Sequence, residues 1–148
     1  MKKTGVFYLL VLLVFFGCNH PENNRLAFKE LLVDYAEDPI NIDNSNPRFS
    51  WIIFSEERNK SQSASQILVA TDMKKLEKGK ADVWDSGKVN SDETIQHEFA
   101  GEMLESNQKY YWKVKVWDEK GQPFESPEAV FETAFLKPSD WQASWIGA

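Results

Sequence analysis

Cys18 is the only cysteine in 148 residues, so no disulfide can form within the chain and its fold must stand on a hydrophobic core. Basic tracts are as scarce. No run of cations exceeds a lysine pair, and 23 Asp and Glu outnumber 17 Lys and Arg, for a formal charge of −6. Nucleic acid is excluded as a partner, because binding it needs clustered cations to displace condensed counterions. There is no glycine-rich phosphate loop, G-x-S-x-G elbow, C-x-x-C pair or H-E-x-x-H helix. Of the two histidines, His20 lies in a polar leader, and His97 has no second histidine, cysteine or paired carboxylate at ligand spacing; it reads as a partly buried or edge-strand residue. Neither a metal site nor a cofactor is expected.

Carboxylates are plentiful, among them Asp34, Asp38, Asp43, Asp82 and Asp85, but they sit in turns and linkers beside polar neighbours. A general acid needs a protected site that raises its pKa, and no such pocket is being built around any of them. No residue is assigned a catalytic role.

Only one long apolar run exists. Val6 to Phe16 is eleven residues behind Lys2 and Lys3. That is too short to cross ~30 Å of hydrocarbon, which takes about 20 residues, and suits a signal-peptide core. The run ends in 15-FFGC-18, which resembles a bacterial lipobox: small Gly17 precedes the cysteine that would be acylated and become the new N-terminus. Residues 1–17 are therefore expected to be a cleaved lipoprotein signal helix, with Cys18 the lipidation site. Residues 18–25, containing 19-NHPENNR-25, are expected to be a tether. The mature product is then exported and lipid-anchored to a bacterial membrane, periplasmic or at the cell surface. Loss of Lys2 and Lys3 takes its charge from −6 to −8.

What remains is rich in rings: 42% of the chain is hydrophobic, 14% aromatic, and it holds six tryptophans. The pattern is one of short strands. In 48-RFSWIIFS-55, Phe49, Trp51 and Ile53 alternate with Arg48, Ser50 and Ile52; in 66-QILVATD-72, Ile67 and Val69 oppose Leu68 and Ala70. Residues 72–82 read as a turn or two of helix, capped by Asp72 and stopped at Gly79. A turn at Asp85-Ser86-Gly87 interrupts 83-VWDSGKV-89, and Ile95, His97 and Phe99 alternate in the next strand. The longest element is 109-KYYWKVKVWD-118, with Tyr110, Trp112, Val114 and Val116 inward and Lys113 and Lys115 toward water. A turn at 118-DEKG-121 leads to a last strand in 129-AVFETAFL-136.

Six or seven strands with one short helical segment predict an all-β, antiparallel fibronectin type III or immunoglobulin-like sandwich over residues 26–136. Leu104 stands six residues before Tyr110, the spacing of a tyrosine that closes a corner through its hydroxyl. Residues 137–148 are expected to be a linker, and its Trp141 and Trp145 have no remaining domain of this chain to cover them. Both are expected to contact a neighbouring domain. Trp84, Trp117, Trp141 and Trp145 are also the candidates for stacking on a sugar ring.

Five blocks carry a family resemblance: 31-LLVDYAEDPINIDNSNPRFSW-51, 66-QILVATD-72, 82-DVWDSGKVNSD-92, 109-KYYWKVKVWDEKGQP-123 and 138-PSDWQASWIG-147. In order and spacing they resemble the N-terminal fibronectin-III-like domain of bacterial α-L-rhamnosidases of glycoside hydrolase family 78. The resemblance implies a scaffold whose parent enzyme hydrolyses terminal α-L-rhamnosyl groups with acidic residues on a large helical barrel far downstream. No position of this chain matches a catalytic residue of that family. The implied partners are the downstream domains, missing here, with a rhamnose-containing glycan a further one. A truncated form of such an enzyme gives this sequence, and so does an independent carbohydrate-binding or protein-interaction module.

Overall fold

The computed structural model describes residues 26–142. The chain runs β1 (Ala27–Val33), β2 (Arg48–Phe54), β3 (Gln62–Ala70), α1 (Met73–Glu77), β4 (Trp84–Asp85), β5 (His97–Glu98), β6 (Lys109–Asp118), β7 (Pro123–Glu125) and β8 (Ala129–Glu132), followed by a 3₁₀ turn at Pro138–Asp140. One antiparallel sheet has the order β1-β2-β5; the other has the order β4-β3-β6-β7, with β8 also on β6. β7 and β8 lie end to end along the same edge of β6. Between them Ser126 keeps the ladder intact, its amide donating to Val114 O and its hydroxyl accepting from Val114 N.

Ring burial holds the sheets together. Phe49 and Trp51 of the first sheet and Trp112 and Phe131 of the second are fully buried. Phe49 meets Trp112 edge-on at 4.8 Å and Phe131 at 5.8 Å between ring centroids. Burial of a side chain such as Phe contributes about 1.5–3 kcal/mol. The polar end of Trp51 is also satisfied: Nε1 donates to Gln62 Oε1 at 2.9 Å, and Gln62 Nε2 donates to the carbonyls of Ser91 and Glu93. Tyr110 closes the corner as its spacing predicts, its hydroxyl accepting from Glu105 N at 2.8 Å above fully buried Leu104.

Two segments sew the sheets together along their sides. After β1 the chain crosses to the second sheet, where Ile42 N donates to Glu132 O and Ala134 N to Ile42 O. After β4 it crosses back: Val89 exchanges backbone bonds with Ser65 of β3, and Trp51 N then donates to Thr94 O.

Several expectations need correction. β1 does not alternate strictly, because a register shift between Phe28 and Glu30 resets the phase so that Phe28, Leu31 and Val33 all face the core. β3 begins four residues before Gln66, its first residue being the Trp51 partner Gln62. Ile95 does not alternate inward: Gln96 takes φ 60°, the strand shrinks to His97–Glu98, and Ile95 is exposed. His97 sits on the edge strand, stacked on Trp51 at 4.6 Å. Lys113 is not in water but buried, its Nζ 2.8 Å from Glu125. The last strand stops at Glu132, leaving Phe135 exposed.

The outer face of the second sheet is partly roofed by α1. Leu76 packs on Leu68, Ala70 and Tyr111; Asp72 caps the helix by accepting from Lys74 N, and Gly79 ends it at φ 68°. Asp82 fastens this connection, accepting from Thr71 N and Oγ1 and pairing with Lys75 at 2.5 Å. Partial burial pushes the Asp82 carboxyl up, but the Lys75 ammonium and the Thr71 donors outweigh it and hold the pKa at about 2. A lowered folded-state pKa stabilises above the unfolded value near 4, and that contribution is lost as pH falls toward 2. Asp82→Asn should therefore shrink the fall in Tm between about pH 5 and about pH 2, as followed by circular dichroism. An unchanged fall would remove Asp82 from the acid limb.

Gly101 is required by close approach. A Cβ there would lie 2.5 Å from Trp84 Cβ, 2.6 Å from Val83 O and 2.7 Å from Phe99 Cζ, and the carbonyl is backbone that cannot step aside. Gly101→Ala is expected to cost about 1–3 kcal/mol in urea unfolding, the range for overpacking. A loss within error of zero would mean that the 99–102 turn shifts freely.

Candidate functional site

Of the residues singled out by sequence, Cys18 and Trp145 lie outside the described residues. Trp84 is absorbed into the core, 5.2 Å from Phe99 and 5.8 Å from Phe49. Trp117 sits half-buried on the outer face of β6, paired across the ladder with Ala64 and Pro123. Lys88 Nζ lies 4.3 Å from its ring centroid and Lys115 Nζ 5.4 Å, so ammonium groups already hold the position a sugar would need. Trp141 is 63% exposed and meets Phe135 edge-on at 6.0 Å. The structure does not bring Trp117 and Trp141 into one site. Trp117 lies near the end of strand β6, and Trp141 follows the 3₁₀ turn beyond β8.

Four acidic residues of the recognisable blocks, Asp34, Asp38, Asp85 and Asp118, accept from backbone amides. Asp34 accepts from Arg48 N and from Asn44 Nδ2; Asp38 accepts from Val130 N across the sheet; Asp85 accepts from Gly87 N and Gln66 Nε2. Asn46 donates to Phe99 O, and Ser86 Oγ accepts from Ile67 N. Asp118 is fully buried. Burial pushes its pKa up, yet the amides of Gln122 and Lys120 and the Lys60 ammonium bring it below the ordinary value. Asp118 is a carboxylate held ionised by donors, the opposite of what a general acid needs. Among the described residues, no group of three or more His, Cys, Asp or Glu is placed to hold a metal ion.

The surface that stands out is one end of the sandwich, built from three connections: residues 34–47, 99–108 and 133–142. They are hydrogen-bonded into one body. Asn46 holds Phe99 O, Asn107 N donates to Ala134 O at 3.0 Å, Leu136 N donates to Ser106 Oγ at 2.8 Å, and Ser106 Oγ bonds Asp140. Between them runs an open groove of about 470 Å³ with walls from Asn46, Phe99, Gly101, Met103, Leu104 and Leu136. Of the ten exposed large hydrophobic residues among the described residues, five lie in these connections: Tyr35, Ile40, Met103, Phe135 and Trp141. Sequence reading found Trp141 there but missed Tyr35, Met103 and Phe135. Tyr35 and Met103 stand in turns with no periodicity, and Phe135 was assigned to a strand that ends three residues earlier.

Paired antiparallel sheets, a tyrosine corner and cross-over segments on both sides define an immunoglobulin-like sandwich. The chain belongs to the family of Rha78A-like N-terminal immunoglobulin domains, whose pattern matches residues 28–137. It is 41% identical over 146 residues to an alpha-L-rhamnosidase of Formosa agariphila, covering 95% of this chain and 15% of that protein. An alpha-L-rhamnosidase of Streptomyces avermitilis is 39% identical over 117 residues, 78% of this chain and 11% of that one. Among solved structures, the Streptomyces avermitilis alpha-L-rhamnosidase complexed with L-rhamnose superposes with a TM-score of 0.78 at 37% identity, over 84% of this chain and 12% of that chain. The alpha-L-rhamnosidase from Dictyoglomus thermophilum does so with a TM-score of 0.75 at 35% identity, over 82% of this chain and 14% of that one. The chain thus spans about one seventh to one ninth of the length of the relatives it matches.

Proposed function

We propose that this chain is the N-terminal scaffold module of an exported, lipid-anchored α-L-rhamnosidase of glycoside hydrolase family 78, and takes no part in the chemistry itself. One observation carries the reading. Proteins named alpha-L-rhamnosidase align with 78% and 95% of this chain, while the chain accounts for only 11% and 15% of them. The catalytic acids then belong to the other six sevenths or more of such an enzyme, and a glycan bearing terminal α-L-rhamnosyl groups is a ligand of the whole enzyme. In support, the carboxylates Asp34, Asp38, Asp85 and Asp118 spend their oxygens on amide donors. Trp141 and Trp145 act as contacts between domains, and the Lys88 ammonium keeps Trp117 from serving as a sugar platform. Residues 1–17 act as the signal, Cys18 carries the acyl chains, and residues 19–25 tether the domain to the membrane. Each CH₂ buried in lipid adds about 0.8 kcal/mol, so more than one acyl chain gives stable attachment.

Two measurements test this. The mature chain alone is expected to release no product from an aryl α-L-rhamnoside, whereas the Formosa agariphila relative with its matching segment replaced by this chain is expected to hydrolyse it. Turnover by the lone chain would overturn the scaffold role, and an inactive chimera would overturn the module reading. Fatty-acid labelling in a bacterial host is expected for the native chain and abolished by Cys18→Ser; equal labelling of both would remove the anchor.

A further inference from the structure

We infer that the end of the sandwich formed by residues 34–47, 99–108 and 133–142 is a preformed docking face for the domain that follows in the same polypeptide. We infer further that this partner presents an apolar centre with a basic rim. The inference rests on the module reading above and extends it from the tail tryptophans to a defined surface.

Four observations converge on this end. The chain leaves the sandwich here: beyond Glu132 it passes the groove through Leu136, turns at Pro138–Asp140 and reaches Trp141. A following domain is thereby delivered to this end and not to the opposite one, where Phe54 and the 118–121 turn lie. The face is also rigid before any partner arrives, because Asn46, Ser106 and Asp140 bond the three connections to one another. Docking onto such a surface orders few further groups, which lowers the entropic cost of association.

The third observation is Tyr35. It has φ 70° next to Asp34 at φ 45°, a turn that normally selects glycine or asparagine, and its ring is 71% exposed. A bulky side chain held in the left-handed region while packing on little of its own domain is strain with no return inside this fold. Met103, at 77% exposed, and Phe135 stand in the same condition of solvent exposure. The fourth is charge. Across the three connections Asp43, Glu102 and Glu105 are exposed acids and Lys137 is an exposed cation, while Arg48 and Lys109 at the margins are engaged by Gln96 and Glu132. Of the lysines in the neighbouring 71–83 connection, Lys74 and Lys75 sit on α1, which is folded onto the outer face of the second sheet, and Lys78 and Lys80 follow it. Acids surrounding exposed apolar side chains match a partner whose own apolar patch is edged with Lys or Arg, and such rim pairs set orientation and approach rate.

Amide hydrogen exchange in the chimera, compared with the isolated 148-residue chain, tests this. Exchange at residues 101–104 and 135–141 is expected to slow at least tenfold in the chimera. Met103→Asp or Trp141→Asp should restore fast exchange there without changing the Tm of the isolated chain, and Phe54→Asp should have no effect. Protection appearing at residues 52–54 and 95 in an active chimera would overturn the inference while leaving the module reading intact. So would an active chimera with no protection at any face. Concentration-dependent dimerisation of the isolated chain, abolished by Met103→Asp, would assign the face to a second copy instead. A chimera that fails to hydrolyse the rhamnoside sinks the module reading and this inference together.

Discussion

The contact of Phe49 with Trp112 and Phe131 between the sheets is the interaction on which everything else in this domain depends. The first sheet contributes few strands and β5 is only two residues long, so its own ladders cannot hold it. Rings crossing the interface turn two weak layers into one core, and they do so without a disulfide. The cost of burying the Trp51 indole N–H is avoided by a specific partner. Gln62 takes the Trp51 donor and passes its own amide protons to the 91–93 carbonyls, so one polar side chain satisfies the core and pins the strap that closes its side.

Seen from that core, the blocks by which the family is known are structural. Asp34, Asn44 and Asn46 tie the β1–β2 connection to itself and to Phe99 O; Asp85, Ser86 and Gly87 shape the corner behind Trp84; Gly101 lets Val83 and Trp84 approach. Most of these polar residues bond backbone groups and so fix the path of the connections around the rings. This is why the motifs are specific to a domain.

Much of this was legible in the sequence for a simple reason: period-two alternation and turn residues are local signals. The inward faces of β2 and β6, the Asp72 cap, the Gly79 stop and the Tyr110 corner follow from them. The failures share a cause, since each depends on a partner distant in sequence. The bulge that rephases β1, the burial of Lys113 against Glu125, the reach of Gln62 to Trp51 and the left-handed Gln96 that throws Ile95 outward are settled by tertiary pairing. The contact surface was read only through Trp141, because exposure of Tyr35, Met103 and Phe135 is a property of the folded end and leaves no period in the chain.

A rigid sandwich with a chemically quiet interior and one apolar, acid-rimmed end suits a part whose work is to hold a position next to something larger. That role needs the two sheets to move as one body. Urea unfolding of Phe49→Leu, followed by amide exchange on β1 and on β6, measures this most directly. Shared dependence on the ring contact predicts the same loss in both sheets, about 1–3 kcal/mol; a loss confined to the first sheet, with β6 unchanged, would contradict it.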